Sequence, residues 1–365
     1  MNILIIGEFS GFARNLKEGF IKLGHQVLIV QSGDGWKKLD SKEDIILKKK
    51  SLFVRGHHIL GSNRIMSVFE NIRFDNVLCK NSPNPDLIFV VNYEFIRENI
   101  TKIGVSRNYI KRCIRKGAKL LMSECGTSPA GCYYDKNYYC DLLKKKVPLI
   151  ERRYSFLLTN SHAIIPTSFC YYEQLLAYSK VFLFDTKKIQ LPIPLPITIR
   201  DYDITPCQGR KIVIFHGVIR PKAKGTSFIQ AAMERLQREM PDRVECVCKG
   251  GMAYAEYVKL FDKVDVLVDQ TYLNGWGMNA AIAAMKGKCV LTSCGPENSE
   301  NMGIPNIPYV QIKPDSKQIY QTLKNLILHP DKIDEIKKQS REFSEKYCDS
   351  VVVAARYFDK VGLCV

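Results

Sequence analysis

Lys211-Ile212-Val213-Ile214-Phe215-His216-Gly217-Val218-Ile219-Arg220-Pro221-Lys222-Ala223-Lys224-Gly225-Thr226 sets a short apolar run against a loop of two glycines and three cations. Beyond it Phe228, Ile229, Ala232, Met233 and Leu236 recur at helical spacing. The segment therefore reads as strand, loop and amphipathic helix. The first amides of such a helix lack intrahelical acceptors and carry the positive end of its dipole, and Gly225 lets a ligand approach the backbone closely. Arg220 offers a planar fork and Lys224 a mobile point charge, a pair suited to adjacent phosphates. A solvated basic loop is the competing reading.

Working outward, the same grammar repeats. Val244–Val247, Val264–Val268, Val290–Thr292 and Tyr309–Ile312 read as further strands of the second half, and Ile3–Ile6, Val27–Val30, Leu87–Val91, Leu120–Met122 and Ala163–Ile165 as buried parallel strands of the first. Pro192, Pro194 and Pro196 impose an extended segment between the two sets. The expected organisation is α/β, with two doubly wound Rossmann-like domains facing across a cleft, at 1–195 and 196–350. A C-terminal helix, 351–365, either closes the second domain or crosses back to the first. Ligands of such sheets sit outside the carboxyl ends of the strands.

Composition narrows the class. A chain of 365 residues with 46% hydrophobic content is long enough for two cores. Its 13 cysteines include no CxxC pair, and Cys246 and Cys248 alternate on one strand, so buried free thiols in a reducing compartment are expected rather than a zinc site. No basic leader precedes the first strand, and no apolar run nears the ~20 residues of a membrane span, which points to a cytoplasmic protein, soluble or peripheral to the inner membrane face. The net charge of +17 is uneven: residues 1–200 carry 31 Lys and Arg against 17 Asp and Glu, residues 201–365 carry 23 against 20. Lys48–Lys50, Lys111-Arg112, Arg115-Lys116, Lys144–Lys146 and Arg152-Arg153 are candidates for meeting an anionic membrane. Nucleic acid is disfavoured as a partner, because these cations are not interleaved with aromatics.

Three more loops fall at expected strand ends. Gly7-Glu8-Phe9-Ser10-Gly11 is too poor a match for an NAD fingerprint, but it is a close-approach loop. Ser123-Glu124-Cys125-Gly126-Thr127-Ser128 places Glu124 where a base or a hydroxyl acceptor belongs. Asn274-Gly275-Trp276-Gly277-Met278-Asn279 opens an alanine-rich helix whose first amides offer a second anion site. Asp265 and Asp269 are four apart on one strand, ~13 Å along an extended chain, and cannot share an ion.

In order and spacing the chain resembles the GT-B fold glycosyltransferases, specifically the retaining family four group of bacterial surface-polysaccharide clusters. The likeness rests on Gly24-His25-Gln26-Val27, Arg220…Lys224-Gly225, Val264-Asp265-Val266-Leu267-Val268 and Gly275-Trp276-Gly277 with the helix running to Lys286-Gly287-Lys288. It implies a hexosyltransferase with no cofactor and no obligatory metal, taking a nucleotide-diphosphate sugar as donor and a glycan or lipid-linked acceptor. Arg220, Lys224 and the amides of Gly277, Met278 and Asn279 match the donor-diphosphate residues, and Ser10 and Gly11 the loop over acceptor and donor phosphate. The family's two glutamates fall here on Asn274 and Ile282, so Asn274 takes the sugar-facing catalytic place. Glu124 stands where an acceptor-side histidine is usual; His25, His162 and His216 are the other histidines considered. Glu297, after Gly295-Pro296, is a candidate to supply the missing carboxylate to the sugar or nucleotide. A nucleotide-sugar epimerase of the same fold and a non-catalytic homologue acting as a partner protein are the alternatives.

Overall fold

Ile3–Ile6 and Leu87–Val90 are buried throughout, as strands covered by helices on both faces must be. They lie side by side in a computed structural model that describes residues 1–31, 45–46, 53–54, 57–58, 62–91, 93–97, 104–126, 128–134, 147–252 and 254–363. The chain divides into two compact units. One comprises Met1–Thr167, Tyr171–Leu191 and Ala354–Val365, the other Ser168–Cys170 and Pro192–Val353.

The first unit is built on a parallel sheet of β1 (Asn2–Ile6), β2 (Gln26–Gln31), β3 (Ile45–Ile46), β4 (Leu87–Val90), β5 (Lys119–Glu124) and β6 (Ala163–Pro166). Their spatial order is β6-β5-β4-β1-β2-β3, the doubly wound order of dinucleotide-binding sheets. The Phe12–Lys22 helix joins β1 to β2 and buries Phe12, Leu16 and Phe20. From Ala354 the last helix, Ser350–Asp359, belongs to this unit: Phe358 lies 5.0 Å from Phe20 and Tyr357 meets Phe89 edge-on at 4.8 Å.

The second unit carries β7 (Ile212–Gly217), β8 (Val244–Lys249), β9 (Val266–Val268), β10 (Cys289–Thr292) and β11 (Val310–Gln311), all parallel, in the order β8-β7-β9-β10-β11. Every strand read from the sequence is present, with ends shifted by one or two residues. The basic loop contains a helical turn, Pro221–Lys224, entered through Arg220 and left through Gly225 before the Thr226–Glu239 helix begins.

At the amino end of β9 Asp265 is buried, with four donor groups around it, the Cys207 thiol at 3.6 Å being the weakest. Arg210 gives a fork of 2.6 and 2.7 Å, Lys337 a bond of 2.7 Å, and the Val213 amide one of 3.0 Å. Burial alone would raise its pKa, but these partners outweigh it and hold the carboxyl below its ordinary range. Lys337, itself 2% exposed, thereby ties the Pro330–Phe343 helix to the sheet.

Candidate functional site

In the second sheet the winding reverses between β7 and β9, so the loops that follow them diverge and leave a crevice at their carboxyl ends. Those ends are Gly217 and Asp269. Asp269 is buried, and its carboxylate bridges two of the groups read as anion-binding: Lys224 Nζ at 2.5 Å and the Gly277 amide at 3.1 Å. Desolvation pushes its pKa up, but the Lys224 ammonium and the Gly277 amide prevail and keep it below the usual carboxylate range. Lys224 is therefore a fixed cation, not the mobile one expected from sequence. Its backbone is held as well, since its carbonyl accepts from the Thr271 amide at 3.1 Å. Gly225 is required here: at φ +68° a Cβ would lie 2.0 Å from Thr271 Oγ1.

Arg220 behaves differently. It is exposed and makes no ion pair among the described residues. Its φ is 56°, and the one other described non-glycine residue in that left-handed region is Ser10, at 53°. Both belong to the loops singled out from sequence as ligand loops. A left-handed non-glycine residue costs on the order of 1 kcal/mol, and such strain gathers where a side chain must be aimed.

The glycines sharpen the picture. Gly217 and Gly277 flank the crevice, and neither is demanded by its own fold. A Cβ on Gly217 would meet the Phe215 ring at 3.5 Å and Asn279 Nδ2 at 3.7 Å; one on Gly277, whose φ is −102°, would meet Asp269 Oδ2 at 3.5 Å. These are ordinary contacts in an ordinary backbone region, so the missing side chains leave room for something outside the protein. The Met278–Met285 helix starts here, and the amides of Met278, Asn279 and Ala280 have no acceptor among the described residues. At the Thr226–Glu239 helix the Gly225 carbonyl takes the amides of Phe228 and Ile229 at 3.1 and 3.4 Å, and those of Thr226 and Ser227 have no acceptor among the described residues.

Asn274 and Glu297, 23 residues apart, meet: Asn274 Nδ2 donates to Glu297 Oε2 at 2.8 Å. Asn274 Oδ1 accepts from the Gly295 amide and from Asn298 Nδ2, both at 2.7 Å, which fixes the orientation of its amide. Asn298 is buried and in turn accepts from the Phe169 amide at 2.9 Å. In the sequence Asn274 and Glu297 are separate candidates, and their coupling through the Gly295 turn carries no local signal. Ile282, in the place of the second family glutamate, lies on the alanine-rich helix and adds no polar group.

In the first unit the Gly7–Gly11 loop is closed by its own carboxylate. Glu8 accepts from the Gly11 amide at 2.8 Å and the Arg14 amide at 3.1 Å, so the start of the Phe12–Lys22 helix has an internal anion. Glu124 ends β5 with its side chain buried, and burial pushes its pKa up to about 7 against the Ser128 and Tyr154 hydroxyls, which favour the charged form. Tyr154 donates to Oε2 at 2.9 Å. Near neutrality this carboxyl holds or releases a proton.

The histidines are occupied structurally. His216 is buried; Nδ1 lies 2.8 Å from the Val268 carbonyl and so carries the proton, leaving Nε2 to accept from Thr226 at 2.9 Å, and burial lowers its pKa to about 4. His162 accepts from the Leu120 amide at 3.0 Å, and His25 lies edge-on against Phe358. Several cations of the basic clusters also have local partners: Arg112 donates to Cys79 Sγ, Lys116 to Asn84, and Arg153 to the Glu94 carbonyl. Lys48–Lys50, Lys144–Lys146 and Thr127 lie outside the described residues. Among the described residues no group of three His, Cys, Asp or Glu is arranged for a metal, and no helix is long and apolar enough to cross a membrane.

No family model and no curated protein matches the chain. Solved structures do, over nearly the full length of both chains. WaaG, a glycosyltransferase involved in lipopolysaccharide biosynthesis, matches at 12% identity over 99% of each chain with a TM-score of 0.61. HepE from Anabaena in complex with UDP-glucose matches at 12% identity over 99% of each chain, with a TM-score of 0.60. The fold is GT-B. A GT-B framework also serves other chemistry: a protein from Listeria monocytogenes assigned as a UDP-N-acetylglucosamine 2-epimerase matches at 12% identity, over 99% of this chain and 95% of its own, with a TM-score of 0.53.

Proposed function

We propose that this protein is a glycosyltransferase, moving a hexosyl group from a nucleotide-diphosphate sugar to a glycan or lipid-linked acceptor in surface-polysaccharide synthesis. The observation that carries the reading is the crevice at the ends of β7 and β9. It combines an exposed, unpaired Arg220, a fixed Lys224, helix amides of Met278 and Asn279 without acceptors among the described residues, and two glycines whose bareness serves no internal contact. Charge accumulates on the departing diphosphate as the glycosidic bond breaks, and donors that are already in place stabilise it without reorganising. Gly277 lends its amide to Asp269, so its part in the grip is its missing side chain.

Glu297, steadied by Asn274, is the carboxylate we assign to hydroxyls of the sugar or ribose. Glu124 is the group we assign to proton handling on the acceptor side, with Ser10 and Gly11 as the acceptor-side loop. The resemblance to the retaining group implies a product that keeps the donor's anomeric configuration, which proton NMR of the product tests. A thermal-shift screen against UDP, GDP, ADP and CMP sugars tests the donor assignment, since a ligand that binds only the native state raises apparent stability. The expected result is a shift with one class of nucleotide sugar, reduced in Arg220→Ala. No shift with any of them contradicts the assignment.

The epimerase reading is favoured by the Listeria relative. Incubating the donor without acceptor separates the two: a transferase leaves the sugar unchanged, an epimerase inverts a centre on it.

A further inference from the structure

The first unit turns at Lys180–Phe184, just after the Phe169–Ser179 helix. Leu183 is 95% exposed, Val181 51% and Phe182 40%. The turn is well supported. Val181 and Phe182 donate their amides to the Tyr178 carbonyl at 3.1 and 3.0 Å, and the Phe182 ring stacks on buried Tyr178 at 4.2 Å. Tyr133 meets Phe182 edge-on at 6.3 Å, and Tyr133 and Tyr134 extend the apolar surface with 38% and 51% exposure. Apolar side chains held outward on a packed base are a surface shaped for contact.

We infer that this tip docks the protein onto the surface of an anionic lipid bilayer. It is a projecting turn with a nearly fully exposed leucine at its end, a shape that enters a soft apolar medium rather than receiving a partner's side chain. Its composition is graded as an interfacial element requires: aliphatic side chains for the acyl boundary, tyrosines for the headgroup level, and exposed Lys180 and Lys187 for lipid phosphates. The half of the sequence that contains the tip carries 31 Lys and Arg against 17 Asp and Glu in residues 1–200, a net positive charge that adds long-range attraction to an anionic leaflet. This docking element differs from the basic clusters noted in the sequence, and it does not rest on the donor-site reading.

The test is co-sedimentation of the full chain with phosphatidylcholine vesicles, with and without phosphatidylglycerol. Wild type is expected to partition onto the anionic vesicles, with a remainder that persists at high salt. Leu183→Glu should lower the partition coefficient at least about tenfold, the consequence of removing one buried leucine from the contact. Leu183→Trp should keep binding, and the emission of the introduced indole should shift to the blue on vesicles. Nucleotide affinity should be the same in all three proteins, so failure of this inference is separable from failure of the donor assignment. Absence of wild-type binding, unchanged binding of Leu183→Glu, or an emission of the Leu183→Trp protein that does not shift would each overturn it. So would a dimer in sedimentation velocity that Leu183→Glu abolishes without any vesicle binding, which would assign the tip to a second copy of the chain.

Discussion

Asp265 and Asp269 bracket one three-residue strand, and both are buried, yet their surroundings differ in number and in kind. Asp265 has two cations and an amide, of which Lys337 is buried and Arg210 reaches in from the surface of the second unit. Asp269 has one cation and one amide, and both lie at the crevice where Arg220 and the Met278–Met285 helix start are found. Glu124, in the other unit, extends the series: it is equally buried, has hydroxyl partners and no cation, and titrates near 7. Burial is common to all three; what sets their charge is the count of positive partners. A carboxylate with two cations is a structural tie. On the function proposed above, the single cation at a strand's carboxyl end is held in place for a ligand, and the carboxyl with none exchanges a proton.

This ordering predicts a descending set of effects. Asp265→Asn leaves Arg210 without its counter-charge and buried Lys337 with only the longer 3.5 Å contact to Asp334, and should cost about 3–5 kcal/mol in denaturant unfolding, with nucleotide affinity unchanged in the folded fraction. Glu124→Gln should reveal the uncompensated carboxyl through pH. A group raised from 4.5 to about 7 in the folded state favours folding below its unfolded pKa, and that advantage is lost as pH rises through about 7. The variant lacks this loss, so its stability relative to wild type should rise by about 3 kcal/mol between roughly pH 4 and pH 8. A flat difference would show that Glu124 is not protonated in the native state.

Asp269→Asn should cost about 1–3 kcal/mol, less than at Asp265 because Lys224 regains some water, while weakening nucleotide binding at least about tenfold. Equal stability losses at the two aspartates, with affinity untouched, would erase the distinction drawn between them. Gly277→Ala should be the mildest for folding, within about 1 kcal/mol, because its Cβ finds only ordinary contact. Calorimetry on the same variant should nonetheless record a large loss of nucleotide affinity.

How much of this was legible in the chain follows from range. The longer strands of both units are apolar runs bounded by turn residues, a local pattern, and these were readable, whereas the two-residue edge strand Ile45–Ile46 is too short to show one. Arg220, Gly277 and Met278 stand out as candidates because strand, loop and helix follow one another directly in the chain. What escaped was pairing across distance. Lys224 looked mobile because its counter-ion is 45 residues away, and Asn274 and Glu297 looked independent because the Gly295 turn that joins them is fixed only in three dimensions. The helical turn at Pro221–Lys224 escaped for the opposite reason: four residues are too few to show a period.

The most direct test of the donor site is calorimetric titration of UDP, GDP and ADP into wild type and Arg220→Ala at matched ionic strength. Because Arg220 is exposed and unpaired, the unfolding midpoint should be unchanged, while affinity for whichever diphosphate wild type binds best should fall at least about tenfold. Equal affinity in the two folded proteins would contradict the assignment of this crevice to the donor.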